Sequence, residues 1–344
     1  MFKFCYLPFL VFSGYTAATE STSSDIDFGI LSAQIQQKVA GRPAFQGTAL
    51  LMRGNEVLWQ YQQGRFTQQH AQQLVQGQSF DQHSVFFVGS ISKTLAAVLV
   101  MQQAQKGTLD LQAPVKRYLP ELKQPWAASV RVADLLNHSS GLIDLNTQSN
   151  YGEFRYNNLN FQLLGQILTA VTKRPYAELA TELLQQCQMH RSGFADKADK
   201  VSQGWHEDQG QLKAITASMP VAAEPSGGLI ASAADVAMLP LCMQQQLTKT
   251  SLQQMTTPQL LRQHRWGEVY YGYGVQITQT AAGVEWSHGG YIPGYVSVFN
   301  YFPQHQLSLV VVENQSLDPA DFDRAAYYHD KLRSSVIQIL SQSH

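Results

Sequence analysis

Two blocks of strand-like sequence, separated by a long stretch of mostly helical pattern, constrain the fold of this chain more than any other feature. The first block, FQGTALLMRGNEVLWQYQQG, is a pair of β-rich runs about an RGNE turn. The second holds YYGYGVQITQ, GVEWSHGG, YVSVFNYFP and LSLVVVEN, which are short, aromatic or β-branched, and broken by Gly, Pro and Gln-rich turns. From about Ile91 to Arg262 helical patterns dominate, among them SKTLAAVLVMQQAQKG, NNLNFQLLGQILTAVTKRP, YAELATELLQQCQ and SAADVAMLPLCMQQQ. DFGILSAQIQQKV and the final PADFDRAAYYHDKLRSSVIQILS read as helices at the two ends. Strands from distant parts of a chain bury their apolar faces most simply in one sheet. The expected fold class is therefore α+β: an antiparallel sheet from both chain ends flanked by helices, plus an all-helical lobe. The sheet lobe is expected over about 26–90 and 263–344, the helical lobe over about 91–262, and together they make a single domain over 19–344. A cleft between two such lobes is a usual place for a ligand site.

The first residues, MFKFCYLPFLVFSGYTAATE, combine a lysine, a short apolar run and then small residues. That pattern predicts a signal peptide over 1–18, with Thr16 and Ala18 suiting a cleavage site after Ala18, and hence a periplasmic or secreted protein. The run is too short to span a membrane, so no stable membrane insertion is expected once the leader is removed. Cys187 and Cys242 would then remain of three cysteines. Both lie in helical patterns, where buried free thiols are the expectation, with one disulfide left open by an oxidising compartment. A net charge of −1 with 14% charged residues points to no nucleic-acid partner. With no CxxC and no HExxH, neither a metal site nor a cofactor is legible.

The stretch FFVGSISKTLAAVLV places Ser90 after a glycine and Lys93 one helical turn later, amid Phe87, Val88, Leu95, Ala96 and Val98. Residues three apart share a helix face. Among apolar neighbours a lysine is desolvated, which favours its neutral form and makes it a candidate base for the serine hydroxyl. On this motif alone, a cap serine with a snorkelling lysine is as good a reading. Two further motifs, each occurring once, shift the balance: Tyr156-Asn157-Asn158 at a helix start, and His288-Gly289-Gly290 on an expected strand. Singly, Tyr156 could be a core aromatic and His288 a satisfied strand histidine.

In that order, S-x-x-K, Y-x-N and H-x-G resemble the serine β-lactamase and penicillin-binding-protein superfamily, specifically its class C β-lactamase-like branch. That branch also holds D-alanyl-D-alanine peptidases, D-amino-acid peptidases and esterases. The resemblance runs from about Phe45 to Asn314 and takes in GTLDLQAPVKRYLPEL, VADLLNHSSGL, NFQLLGQIL, PSGGLIASAADVA and YGYGVQI. It implies an α/β sandwich plus a helical lobe, and one catalytic domain. It also implies roles. Ser90 would be the acylated nucleophile, Lys93 its proton partner, and Tyr156 the acid that protonates the leaving group and later helps activate water. The backbone N–H groups of Ser90 and Tyr291 would form the oxyanion hole. Asn158 would hydrogen-bond the substrate amide and Lys93, His288 would line the strand edge facing the substrate, and Gly289 and Gly290 would let a substrate backbone approach.

The third motif departs from the K-T-G of the best-studied β-lactamases. Histidine near pKa 6.5 is mostly neutral where lysine is charged, and Gly289 carries no hydroxyl. The expected function is a serine hydrolase acting on an amide or ester in a small molecule or short peptide, with weak or absent β-lactam turnover. The alternatives are a true class C-type β-lactamase, a D-alanyl-D-alanine carboxypeptidase, or a catalytically silent binding protein on the same fold. An α/β-hydrolase is disfavoured because the chain has no G-x-S-x-G elbow.

Overall fold

The computed structural model describes residues 28–64, 79–194, 197 and 200–342. The expected leader over 1–18 and most of the Gln-rich connector before Phe80 lie outside the described residues. In chain order the strands are β1 (Gly47–Arg53), β2 (Glu56–Gln63), β3 (Val85–Phe87), β4 (Gly204–Asp208), β5 (Gln211–Ile215), β6 (Ile230–Ser232) and β7 (Leu260–His264). They continue with β8 (Gly267–Tyr271), β9 (Gln276–Thr280), β10 (Gly283–Ile292), β11 (Tyr295–Phe302), β12 (Leu307–Glu313) and the short β13 (Gln315–Ser316). Eight of them form one antiparallel sheet in the order β2-β1-β12-β11-β10-β9-β8-β7. The first and last strand blocks thus meet at the β1–β12 pair, where Leu50 lies opposite Val310. The helices are α1 (Gly29–Gln36), α2 (Ser92–Gln105), α3 (Val132–Leu136), α4 (Asn158–Thr172), α5 (Tyr176–Gln186), α6 (Glu224–Gly227), α7 (Ala233–Gln246), α8 (Lys249–Met255), α9 (Phe322–Ala325) and α10 (Tyr327–Ser341).

β1 and β12 read as nearly continuous apolar runs because the sheet is covered on both faces. The two-residue alternation sorts their side chains between two cores. Leu50, Val310 and Val312 belong to the larger one, shared with the helical lobe. Ala49, Leu51, Leu309 and Val311 belong to a smaller one under α1 and α10. Tyr328, Leu332, Val336 and Leu340 of α10 recur every fourth residue and form the stripe that closes it. α2 is different: every residue from Ser92 to Met101 is buried, so it runs through the middle of the larger core without a polar stripe. A lysine placed at its first turn is therefore surrounded by protein.

The middle of the chain is not purely helical. β4 and β5 form a hairpin there and pair through β13 to the end of the chain, and β3 pairs with β6. The segment WHEDQGQLKAI is polar because most of its residues are exposed or half-exposed, which hides strand alternation. Its turn signal is Gln209-Gly210, both at positive φ. β7 begins at Leu260, ahead of the expected edge of the sheet lobe at 263. YYGYGVQITQ is two strands, broken at Gly272-Tyr273-Gly274, because that loop docks on α2: Thr94 Oγ1 donates to the Gly274 carbonyl at 2.7 Å. The expectation of free thiols is corrected as well. Cys187 at the end of α5 and Cys242 on α7 are joined in a disulfide, with Cα atoms 5.2 Å apart. Helical patterns on both cysteines concealed this, because the packing of the two helices decides whether the sulfurs meet. Among the described residues no helix is long and apolar enough to cross a membrane.

Candidate active site

β3 delivers the chain to Gly89, which stands at φ +51° and opens a short 3₁₀ turn over Gly89–Ile91. A side chain at Gly89 would be strained by that φ, and its Cβ would come within 2.9 Å of the Tyr291 backbone nitrogen. Glycine here lets β10 close against the turn that carries Ser90. The serine that braces this turn is Ser92, whose hydroxyl donates to the Gly89 carbonyl at 2.6 Å and accepts from the Leu229 N–H at 2.9 Å. α2 has no side-chain cap, so Ser90 is not a capping serine.

Lys93 has no exposed surface. Its Nζ lies 3.0 Å from Ser90 Oγ, 2.7 Å from Asn158 Oδ1 and 2.5 Å from the Ser226 carbonyl. No carboxylate is paired with it among the described residues, and burial holds its pKa well below the usual lysine range. The two oxygens of Asn158 and Ser226 can only accept. A neutral amine spends its two N–H groups on them, and its lone pair is left for the Ser90 proton. The snorkelling alternative fails because no part of Lys93 reaches water.

Tyr156 sits just before α4, its ring centroid 4.9 Å from Lys93 Nζ. It walls the cleft with 36% of its surface exposed, while crowding around the phenol pushes its pKa up to about 12. Burial dominates that shift, and hydrogen bonding with Ser90 and the charge of Arg262 act against it. Tyr156 is thus a protonated donor at neutral pH. Asn157 is structural: it caps α4 by accepting the Leu159 N–H at 2.9 Å and donates to the Leu142 and Ile143 carbonyls. Asn158, by contrast, is exposed, and among the described residues only its Oδ1 is engaged, by Lys93.

His288 is buried in the cavity wall and has no free ring nitrogen to offer a substrate. Nδ1 lies 2.7 Å from the Gly289 carbonyl and must carry the proton, since that oxygen only accepts. Nε2, 2.9 Å from the Tyr271 hydroxyl, then accepts. Burial, with Lys93 and Arg262 adding repulsion, pushes its pKa down to about 3. The two glycines that follow do different work. A Cβ on Gly289 would meet nothing nearer than 3.7 Å, so space for a ligand exists there. A Cβ on Gly290 would lie 2.0 Å from the Val88 carbonyl, so that glycine serves close packing of β10 rather than substrate approach. Tyr291 is 39% exposed, and its backbone nitrogen lies against Gly89, the residue before Ser90.

Ser90, Tyr156, Asn158, His288, Gly289 and Tyr291 line one cavity of about 320 Å³, with Lys93 behind it. Motif reading missed three contributors. The Ser226 carbonyl comes from α6, Arg262 comes from β7, and the buried His138 lies 4.4 Å, centroid to centroid, from the Tyr156 ring. None has a local signal tying it to Ser90, because each reaches the site through tertiary packing.

Residues 33–333 match the family described as Beta-lactamase. A β-lactamase of Providencia stuartii is 31% identical over 120 residues, 29% of this chain and 31% of that protein. The esterase EstB of Burkholderia gladioli is 28% identical over 134 residues, 37% of this chain and 33% of that protein. The chain therefore spans less than half the length of the curated relatives it matches. A D-amino acid amidase from Ochrobactrum anthropi SV3 has the same fold, with a TM-score of 0.73 at 18% identity, covering 89% of this chain and 98% of that one. With the family match running over most of its length, the chain belongs to the Beta-lactamase family, within the serine β-lactamase and penicillin-binding-protein superfamily.

Proposed function

We propose that this protein is a serine hydrolase that cleaves an amide or ester of a small molecule or short peptide through an acyl-enzyme on Ser90. The observation that carries the reading is the buried Lys93 amine, whose N–H groups are taken by Asn158 and Ser226 and whose lone pair is left for Ser90. In the first step Lys93 takes the Ser90 proton as Oγ attacks the substrate carbonyl carbon. The N–H groups of Ser90 and Tyr291 receive the oxyanion, each worth about 3 kcal/mol in such sites. As the tetrahedral intermediate collapses, the protonated phenol of Tyr156 gives its proton to the departing amine or alkoxide. The proton held by Lys93 then resupplies Tyr156. Water enters in place of the leaving group and is deprotonated by the same pair as it releases the acid. The Asn158 amide N–H groups are available to a substrate carbonyl.

Turnover of β-lactams is weak or absent in this reading, because the third motif contributes a neutral, fully engaged His288 and a Gly289 without hydroxyl. The related esterase and amidase support ester or amide cleavage in general rather than one substrate. A leader over 1–18 and the Cys187–Cys242 bridge support a periplasmic or secreted location.

The test is covalent labelling with a fluorophosphonate and with a fluorescent penicillin, followed by mapping of the adduct. Label is expected on Ser90 and is expected to vanish in Ser90→Ala, with ester hydrolysis falling by several orders of magnitude, as nucleophile loss does elsewhere at about 10⁶-fold. Label on another serine would overturn the assignment. Rapid cephalosporin turnover at low micromolar substrate would overturn the β-lactam part alone.

A further inference from the structure

β10 pairs with β9 only as far as Ser287, which lies opposite Gln276. Beyond that point, from His288 to Ile292, its outer edge has no strand partner among the described residues. The Ser90 cavity passes over this free edge and continues between the sheet and the α9–α10 segment, where Val296, Val298, Phe322, Ala325, Ala326 and His329 line it. Gly289 lies opposite Val298 and Tyr291 opposite Val296, so these four positions share the sheet face that α10 covers. Glycine leaves the passage open, since a Cβ on Gly289 would meet nothing nearer than 3.7 Å.

This arm of the cavity is mostly apolar, yet polar side chains without partners converge on it. His329 of α10 is only 3% exposed. Its Nε2 is turned to Glu313, 3.2 Å from Oε1 but off the line of a good hydrogen bond. Its Nδ1 has no hydrogen-bond partner among the described residues and is the ring nitrogen left for the cavity. Gln276, at the start of β9, is 4% exposed and lines the same cavity, and its amide makes no side-chain hydrogen bond among the described residues. The Ser287 hydroxyl, across the strand pair from Gln276, is buried and unpartnered as well. Buried polar groups left unpaired are costly, and an apolar pocket with a few convergent polar groups is the usual form of a small-molecule site.

We infer that this arm is a second binding subsite, which takes a neutral amide carried by the substrate on a short apolar stem. The subsite rests on the acyl-enzyme reading for its chemistry. An amide presents an N–H and a C=O together, enough to engage Gln276 and His329 at once. A carboxylate can only accept, and the arm has no cation to spare for it. Arg265, whose guanidinium lies 4.5 Å from the Phe322 ring centroid, is held by Asp330 through two bonds of 2.6 and 2.7 Å. Arg42, behind His329, is held by Glu313 at 2.8 Å.

Matched probes test it on both sides of the scissile bond. On the acyl side they are the p-nitrophenyl esters of N-acetyl-γ-aminobutyric acid, of heptanoic acid and, through one carboxyl, of pimelic acid. These have the same chain length and end in an amide, an alkyl group and a carboxylate. On the leaving-group side they are S-butyryl-N-acetylcysteamine and S-pentyl thiobutyrate, followed by thiol release. The wild type is expected to favour the amide over the alkyl member of at least one set by about 3- to 10-fold in kcat/KM, the scale of a neutral hydrogen bond, mostly through KM. Gln276→Met and His329→Phe should each lower that ratio, and the double variant should bring it to one or below. His329→Phe leaves Glu313 with Arg42 and Gln315, and a thermal melt checks the fold of each variant. Ratios within one protein cancel any general loss of activity. No preference in the wild type, a preference that survives the double variant, or a pimelate ester favoured over the amide overturns the assignment. Hydrolysis that persists in Ser90→Ala overturns the acyl-enzyme reading instead, while the amide-to-alkyl ratio still reports on the arm.

Discussion

His138 holds the segment carrying Tyr156 from three sides. Its ring lies 4.4 Å from the Tyr156 ring, its Nδ1 accepts the Asn157 N–H at 3.3 Å, and its carbonyl accepts the Arg155 N–H at 2.8 Å. Nδ1 also lies 3.0 Å from the Asn160 amide, whose nitrogen donates to it, so the ring is neutral with its proton on Nε2. Burial first, and then the nearby Lys93, holds the pKa of His138 well below the usual histidine range.

Replacing His138 with Phe keeps a ring beside Tyr156 and removes the acceptor. Two buried or half-buried donors then lose their partner, which should lower stability by about 1–3 kcal/mol. If the contact positions Tyr156, kcat should fall more than KM rises. The loss should be larger for an anilide than for a p-nitrophenyl ester, since only the poor leaving group needs a proton from Tyr156. Equal losses on both would reduce His138 to a structural role.

The neighbouring glycines of the third motif should respond oppositely to substitution. Gly289→Ala should be accepted with a stability change of about 0.5 kcal/mol or less, since its Cβ would meet nothing closer than 3.7 Å. Gly290→Ala should cost about 3 kcal/mol or more, because its Cβ would lie 2.0 Å from the Val88 carbonyl. It should also depress kcat, since a displaced β10 carries the Tyr291 N–H away from Ser90. Urea denaturation of both variants checks the stability order, and steady-state kinetics check the second effect.

What could be read from the sequence follows from how local each signal is. Ser90 and Lys93 are spaced by one turn of backbone, and Tyr156 and Asn158 sit at the start of one helix. His288 and Gly289 stand next to each other on one strand. Ser226, Arg262 and His138 are invisible by that route, because the first acts through a carbonyl and the others depend on how distant elements pack. The β4–β5 hairpin escaped notice because nearly all of its residues are exposed or half-exposed, so no buried face imposes a clear apolar alternation. α2 gave no amphipathic stripe for a physical reason, since the core surrounds it.

The Cys187–Cys242 bridge closes 55 residues and ties the end of α5 to α7, away from the Ser90 cavity. Replacing both cysteines with serine should lower stability by about 2–4 kcal/mol. Kinetics on a p-nitrophenyl ester at 25 °C should be nearly unchanged, because no cavity residue comes from either cysteine's surroundings. A large loss of kcat in the still-folded variant would contradict this placement.

Lys93 should leave a signature in the pH dependence of stability as well as of rate. Burial lowers its pKa in the folded protein, whereas the unfolded chain has the ordinary value of about 10.4. Between those two values the unfolded state binds the extra proton, so stability rises with pH across that window and falls as pH drops toward the folded value. The slope from this one group reaches about 1.4 kcal/mol per pH unit. Lys93→Met removes the group, so its stability should vary less with pH over the same window. It should also equal or exceed the wild type at neutral pH, where burying an amine is costly. Its rate of Ser90 acylation should fall by about 10²- to 10⁴-fold, the usual contribution of a general base. Urea melts at several pH values, paired with fluorophosphonate labelling rates, measure both. A wild type whose pH slope matches that of Lys93→Met would mean that Lys93 is charged in the folded protein, and the lone pair assigned to the Ser90 proton would not exist.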